Sequence, residues 1–340
     1  MPPQMPVDTE AGAPGPGAPR PNPRGESFAD LFDAIVTNIE RVIQGKRDVI
    51  RLMLVCLLAE GHLLVEDAPG VGKTSLGKAL AKSLDVTFGR IQFTPDLLPT
   101  DVVGVSLWNR SSNTFEFRPG PIFAGLVLAD EINRTSPKTQ AALLEAMAER
   151  QVTVDGATHT LPRPFMVIAT QNPIEHEGTY PLPDSQLDRF LMTISVGYPS
   201  REAELEILET HATGDALDDL RPVVSAQNVI AMTRAVKKVH VAPAIKTYLV
   251  EIANTTRQHP HLTLGMSPRA TLALQRAARS RAAAVGRGYV TPDDVKALAE
   301  PVLAHRLLLR PEARMRGGSN ADVVAEVLQR VPVPRVPAPT

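Results

Sequence analysis

One cysteine, Cys56, is all that the 340 residues contain. A single thiol can form neither a disulfide framework nor a thiolate metal site. It lies in the apolar run IRLMLVCLLAE, which predicts a small buried hydrophobe. No apolar stretch reaches the ~18 residues that a membrane span needs. The first residues lack the apolar core of a secretory signal. Charge of one sign is missing as well, since 36 basic and 37 acidic residues leave a formal net charge of −1. That balance argues against a general nucleic-acid binder and against an acidic solvating tail. No His-Glu-x-x-His spacing marks a zinc site. His176 stands between Glu175 and Glu177, and His259 and His261 bracket Pro260, in what read as polar loops. These absences predict a reducing, cytoplasmic protein.

Proline is plentiful but unevenly spread. Residues 1–26 hold eight of the 31 prolines and few large apolar side chains. Such a segment buries too little surface to offset its ordering entropy, so a disordered tail is expected. The last ten residues, VPVPRVPAPT, predict a second extended tail. Between the tails, short apolar runs alternate with helical patterns: HLLVED, then SLGKALAKSL; GLVLADE, then TQAALLEAMAER; then PFMVIATQN. Strands separated by helices imply a parallel sheet covered on both faces. QVTVDGATHTL predicts a hairpin turning at Asp155-Gly156. Beyond about residue 200 the strands stop and helices follow, with Ser267-Pro268 and Thr291-Pro292 as clear starts. GGSN at 317–320 is expected to loosen the chain before a last helix, ADVVAEVLQRV. The predicted boundaries are a tail at 1–26, a core at 27–200, a helical domain at 201–316 and a C-terminal tail at 317–340.

The chemistry starts at PGVGKTS, residues Pro69, Gly70, Val71, Gly72, Lys73, Thr74 and Ser75. A strand, a glycine turn and a helix whose first amides face outward make a phosphate cradle. Lys73 suits β- and γ-phosphate oxygens, and Thr74 suits Mg²⁺. The strict pattern opens with glycine, and Asp67 stands there instead. Asp130 and Glu131 end the apolar run LVLADE, 57 positions after Lys73. Ligands bind at such carboxyl edges. Asp130 suits Mg²⁺, and Glu131 suits polarising a water aimed at the γ-phosphate. Asn172, at the end of a neighbouring strand, suits the attacking water or the γ-phosphate. Arg189 in SQLDRF and Arg269 in GMSPRA suit charge stabilisation on a transferring phosphoryl group. No Asn-Lys-x-Asp guanine-reading motif occurs, which favours ATP as the nucleotide.

PGVGKTS, LVLADEINRTSPKTQAALLEAMAERQVTVDG, ATQNPIEHEGTYPLPDSQLDRF and GMSPRA, in this order, closely resemble the MoxR family of AAA+ ATPases over roughly residues 30–310. Magnesium chelatase motor subunits are similar too. The resemblance implies an α/β P-loop core with a mostly parallel five-stranded sheet, followed by an all-α helical lid. It implies Walker A at PGVGKTS, Walker B at Asp130 and Glu131, sensor 1 at Asn172, an arginine finger at Arg189 reaching a neighbouring subunit, and sensor 2 at Arg269. It further implies an ATP- and Mg²⁺-dependent homo-oligomeric ring, usually hexameric, with a chaperone-like role on a client, often linked to von Willebrand A domains or metal insertion. The chain has no Asp-x-Ser-x-Ser of its own, so such a domain would belong to a partner.

The alternative within the same class is a nucleic-acid motor or a transcription regulator. Too few residues follow the helices for a winged-helix domain, and no Gly-Ala-Phe-Thr-Gly-Ala loop occurs. VSLWNRSSNTFEFRPGPIF predicts a second hairpin, whose Trp108, Phe115 and Phe117 either contact a partner or pack on the core.

Overall fold

The computed structural model describes residues 27–68, 70–172, 178–205 and 216–334. The expected tail at 1–26, residues 335–340, Pro69, His176 and most of REAELEILETHA lie outside the described residues. Two amphipathic helices come first. α1 (Phe28–Glu40) begins at Ser27, whose hydroxyl accepts the Asp30 amide while the Asp30 carboxylate accepts the Ser27 amide. Its stripe of Phe32, Ile35, Val36 and Ile39 is buried. α2 (Arg47–Leu58) buries every side chain from Met53 onward, Cys56 included. Burial pushes the Cys56 thiol far above its ordinary range, leaving it a packing residue.

The core elements that follow are β1 (Leu63–Glu66), α3 (Lys73–Ser83), β2 (Phe88–Gln92), α4 (Pro99–Val103), β3 (Gly104–Asn109), β4 (Thr114–Pro119), β5 (Leu126–Asp130), α5 (Pro137–Glu149), β6 (Gln151–Val154), β7 (Ala157–Thr160), β8 (Met166–Gln171), α6 (Asp184–Leu187) and β9 (Met192–Ile194). Five strands form one sheet in the order β2-β5-β8-β1-β9, all parallel. The apolar runs alternate across it. Leu63, Val65, Leu126, Leu128, Met166 and Ile168 face α1, α2 and α3. Leu64, Val127, Ala129, Val167 and Ala169 face Leu143, Leu144 and Met147 of α5. Helices on both faces explain why these strands read as continuous apolar runs.

Both predicted hairpins form. β6 and β7 turn through Asp155 at φ +50° and Gly156 at φ +79°, the two positive values that a tight hairpin turn requires. β3 and β4 pair from Gly104–Pro119 to Asn109–Thr114. Their aromatics divide. Phe117 stacks on His159 of the other hairpin, ring centroids 3.9 Å apart, whereas Trp108 and Phe115 pair edge to face and stay exposed.

The helical domain contains α7 (Ala226–Lys238), α8 (Pro243–Arg257), α9 (Pro268–Ala284), α10 (Pro292–Leu303), α11 (Pro311–Met315) and α12 (Asn320–Arg330). Ser267 caps α9 by accepting the Ala270 amide at 3.1 Å, and Thr291 precedes Pro292 at the head of α10. Ala270, Ala273, Ala277 and Ala278 keep α9 slim, and it packs against α1, α2, α7, α8 and α10. α10 lies against β9. One apolar cluster therefore runs from the sheet into the bundle. The strands do not stop altogether, because β10 (Leu262–Leu264) and β11 (Leu308–Leu309) form a small antiparallel ribbon. Segments of two or three residues are too short to show an alternation. α12 is the expected last helix, and it buries Val323, Val324 and Val327 against α8 and α10. Among the described residues no helix is long and apolar enough to cross a membrane.

Candidate functional site

β1 ends at Glu66 and α3 begins at Lys73, so the intervening loop lies at the carboxyl edge of the sheet. Gly70 and Gly72 hold φ of +84° and +85°, a conformation that side chains rarely adopt. A Cβ at either position would meet nothing within 4 Å, so the backbone, not crowding, demands glycine, and the space beyond the loop is open. Val71, Lys73, Thr74 and Ser75 are half-buried around the first turn of α3, where helix amides favour an anion. Lys73 Nζ donates to the Asp67 carbonyl at 3.0 Å.

The acidic pair ends β5 on the same edge. Asp130 is buried, and its Oδ2 accepts Arg90 at 2.7 Å. Glu131 adopts left-handed backbone at φ +58° and ψ +50°, a strained state for a non-glycine residue. Its Oε2 accepts Gln92 and Arg134, each at 3.0 Å. Thr170, on β8, joins the two. Its Oγ1 donates to Asp130 Oδ1 at 2.8 Å and accepts the Glu131 amide at 2.9 Å. Sequence reasoning passed over Thr170; the available signal was one hydroxyl inside the apolar run MVIATQ. Asn172 lies two residues on, buried just past the end of β8. β8 lies between β1 and β5, so Lys73, Thr74, Asp130, Glu131 and Asn172 belong to one edge of three neighbouring strands.

Arg189 and Arg269 belong elsewhere. Both line a cleft of about 180 Å³ together with Gly61 and His62, which immediately precede β1. The cleft therefore opens at the amino end of the sheet, opposite Lys73. Arg150, Arg276 and Arg306 line it too, so that among the described residues five guanidinium groups face two carboxylates, Glu60 and Asp188. Arg189 Nη1 donates to the Leu144 carbonyl at 2.9 Å, and Arg150 donates to Glu60 Oε1 at 2.9 Å. Burial, with Arg276 and Arg269 nearby and Asp188 in opposition, pushes Arg306 down to about 10. Burial and then Arg150 lower Arg276. Arg306 Nη1 is buried without a hydrogen-bond partner among the described residues. Cationic groups held together against their own repulsion favour a multiply charged anion between them.

The histidines play other parts. His62 is buried, accepts the Val167 amide at Nδ1 and faces the Met147 carbonyl through Nε2; burial pushes it down to about 4. His259 and His261 do meet Glu326 of α12. However, His259 Nδ1 accepts the His261 amide at 3.3 Å, which leaves the proton on Nε2 facing Glu326 at 3.2 Å. A cation at Nε2 would need that proton on Nδ1 instead, against an N–H donor. The cluster fits a clamp between the end of α8 and α12 better than a metal site.

The family described as the ATPase family associated with various cellular activities (AAA) matches residues 62–192, and the AAA lid domain family matches residues 254–327. The YeaC protein of Bacillus subtilis is 52% identical over 309 residues, covering 91% of this chain and 97% of its own. Chaperone MoxR1 of Mycobacterium tuberculosis is 42% identical over 316 residues, covering 90% of this chain and 83% of its own. A crystal structure from Cytophaga hutchinsonii, of a protein described as a candidate ATPase, superposes with a TM-score of 0.85 at 36% identity, covering 91% of this chain and 96% of that one. Similarity that extends through the glycine loop, the sheet and the helical domain alike means that this chain belongs to the MoxR family of AAA+ ATPases and is an ATP-hydrolysing enzyme.

Proposed function

We propose that this chain is one subunit of a homo-oligomeric ring, hexameric by its resemblance, that hydrolyses Mg²⁺–ATP at subunit boundaries and uses the resulting motion to remodel a partner protein. The observation that carries this reading is the separation of the two half-sites. Lys73, Asp130 and Glu131 lie at one end of the sheet, and Arg189 and Arg269 at the other. β1 alone, at four residues, spans about 13 Å. The arginines therefore suit the phosphates of a neighbour's nucleotide rather than their own.

Lys73 and the amides of Gly70 to Ser75 cradle the phosphates. Thr74 and Asp130 are the residues that would hold Mg²⁺, whose charge neutralises the β- and γ-oxygens. The donor set fits: Asp130 is an acidic group at the strand edge, and its partner Arg90, with a half-exposed side chain, has room to turn away. Glu131 aligns the water and takes its proton, with Asn172 beside it. Arg189 and Arg269 stabilise the charge on the transferred group. The chaperone name of the M. tuberculosis relative supports a protein client, of the kind the resemblance links to von Willebrand A domains or metal insertion. The exposed Trp108–Phe115 pair is the surface suited to touching it.

The test uses mixed assemblies. Arg189→Ala and Glu131→Gln subunits, each nearly inactive alone, should regain ATPase activity when mixed, because some boundaries then combine an intact arginine with an intact Glu131. Mixtures no more active than either parent refute action in trans. Assembly mass and ATPase rate, with a von Willebrand A-type protein or with DNA added, separate the client classes; stimulation by DNA alone refutes the chaperone reading.

A further inference from the structure

Asp67 stands where the phosphate-binding pattern opens with glycine. Its side chain is buried, and every polar group it has is engaged in a different direction. Its amide donates to the Gln171 carbonyl at 3.4 Å, extending the β1–β8 pairing to the residue before Asn172. Its carbonyl accepts Lys73 Nζ at 3.0 Å. Its carboxylate accepts Ser195 Oγ at 2.7 Å, the Val196 amide at 2.5 Å and the Gly197 amide at 3.1 Å. These three donors begin the segment that leaves β9 toward the helical domain. Gly197 turns there at φ +65°, and Lys46 Nζ holds the next carbonyl, that of Tyr198, at 2.7 Å. A glycine at position 67 could supply the carbonyl but none of the carboxylate bonds.

We propose that Asp67 is a positioning residue that couples nucleotide occupancy at Lys73 to the segment leading into the helical domain. The proposal rests on ATP binding at the loop described above. Lys73 Nζ carries three donors and spends one on the Asp67 carbonyl, which leaves two for a phosphate, so a single ammonium ties the phosphate to the Asp67 peptide. A phosphate that draws Lys73 toward it draws the Asp67 peptide as well. Its carboxylate remains bonded to two backbone amides and a hydroxyl, so any turn of the residue moves residues 195–197 with it. The loop thereby acts on the connection between core and bundle without a contact between the bundle and the nucleotide.

The experiment compares the full-length parent with Asp67→Asn, Asp67→Gly and Ser195→Ala. Affinity is read with mant-ATP and Mg²⁺, turnover by steady-state ATPase kinetics, and movement by the distance between spin labels on the core and on α8, with and without ATP in a Glu131→Gln background. Asp67→Asn places an amide donor against two backbone donors. It should keep mant-ATP affinity and KM within about 3-fold while lowering kcat about 10-fold, and it should abolish the ATP-dependent distance change. Ser195→Ala, which removes one of the three donors and tests the proposal even if both Asp67 variants fail to fold, should lower kcat about 3-fold and shrink the distance change. Variants that turn over ATP and move like the parent overturn the proposal. So does equal loss of affinity and turnover, which would mean that Asp67 only shapes the loop. A parent that binds mant-ATP as well after Lys73→Ala as before refutes the ATP-site assignment itself, and this inference with it.

Discussion

On the proposed function, replacing Thr170 by valine tests how the acidic end of β5 is built. The change keeps the shape of a fully buried side chain and deletes one oxygen. That oxygen makes two bonds, to Asp130 Oδ1 at 2.8 Å and from the Glu131 amide at 2.9 Å. A hydrogen bond to a carboxylate contributes roughly 1.5–3 kcal/mol, and a buried amide left without an acceptor costs about 1–3 kcal/mol. Glu131 already holds left-handed backbone, which disfavours a non-glycine residue by roughly 1–2 kcal/mol. Without its acceptor the Glu131 peptide relaxes toward ordinary backbone and carries the carboxylate away from the attacking water. If about 2 kcal/mol of the loss falls on the transition state, kcat drops some 30-fold, at 1.36 kcal/mol per tenfold. The phosphate loop is untouched, so KM for ATP should stay within about 3-fold. A coupled ATPase assay measures both, and a thermal melt reports the remainder as a drop of a few degrees. Unchanged kcat, or kcat and KM lost together, would refute the assignment of Thr170 as the support of Glu131.

Further expectations concern the rest of the chain. Lys73→Ala should abolish productive nucleotide binding, whereas Glu131→Gln should bind ATP and hydrolyse it about 100-fold more slowly; filter binding and single-turnover assays separate the two. Burial holds His62 down to about 4 and His305 to about 3, both below the ordinary value of 6.5. The unfolded chain therefore takes up protons that the folded chain refuses. Stability is full above pH 6.5 and falls as pH drops toward 4, by up to about 1.4 kcal/mol per pH unit for each group. Urea midpoints between pH 7.5 and pH 4.5 check this, and His305→Gln should reduce the slope. In the helical domain, buried Asp294 accepts Arg281 at 2.5 Å, Arg287 at 2.6 Å and the Thr291 amide at 2.9 Å. Asp294→Asn should cost about 2 kcal/mol, because the stranded guanidinium groups keep some access to water; calorimetry reads the loss.

What was legible in the sequence was local. The glycine loop, the acidic strand end, the Asp155-Gly156 turn and the Ser267 cap each announce themselves within a few residues, because a turn or a cap is decided by its own backbone. What escaped was assembled from afar. Arg150, Arg276 and Arg306 each look like an ordinary helix-end or helix-face arginine. Arg276 lies two turns beyond Arg269 on α9, but the folding of the helical domain onto the core is what brings that helix beside Arg150, Arg189 and Arg306. Ser195, Val196 and Gly197 bond Asp67 across 128 to 130 positions, so position 67 reads as a plain departure from the pattern. Phe117 and Trp108 sit on one hairpin and look equivalent until His159 claims the first.

On the proposed function, the two ends of the sheet give the subunit a plug and a socket that do not mate within one molecule. On the proposed reading, any open run of subunits leaves one socket and one plug unused, whatever its length. Two subunits related by a two-fold axis present matching faces and complete no site by this pairing. Only closure satisfies all partners at once. Turnover per chain should then rise with concentration as a sharp threshold rather than a gentle curve. Cells would gain a motor that stays idle while scarce and engages as a unit once its circle is complete.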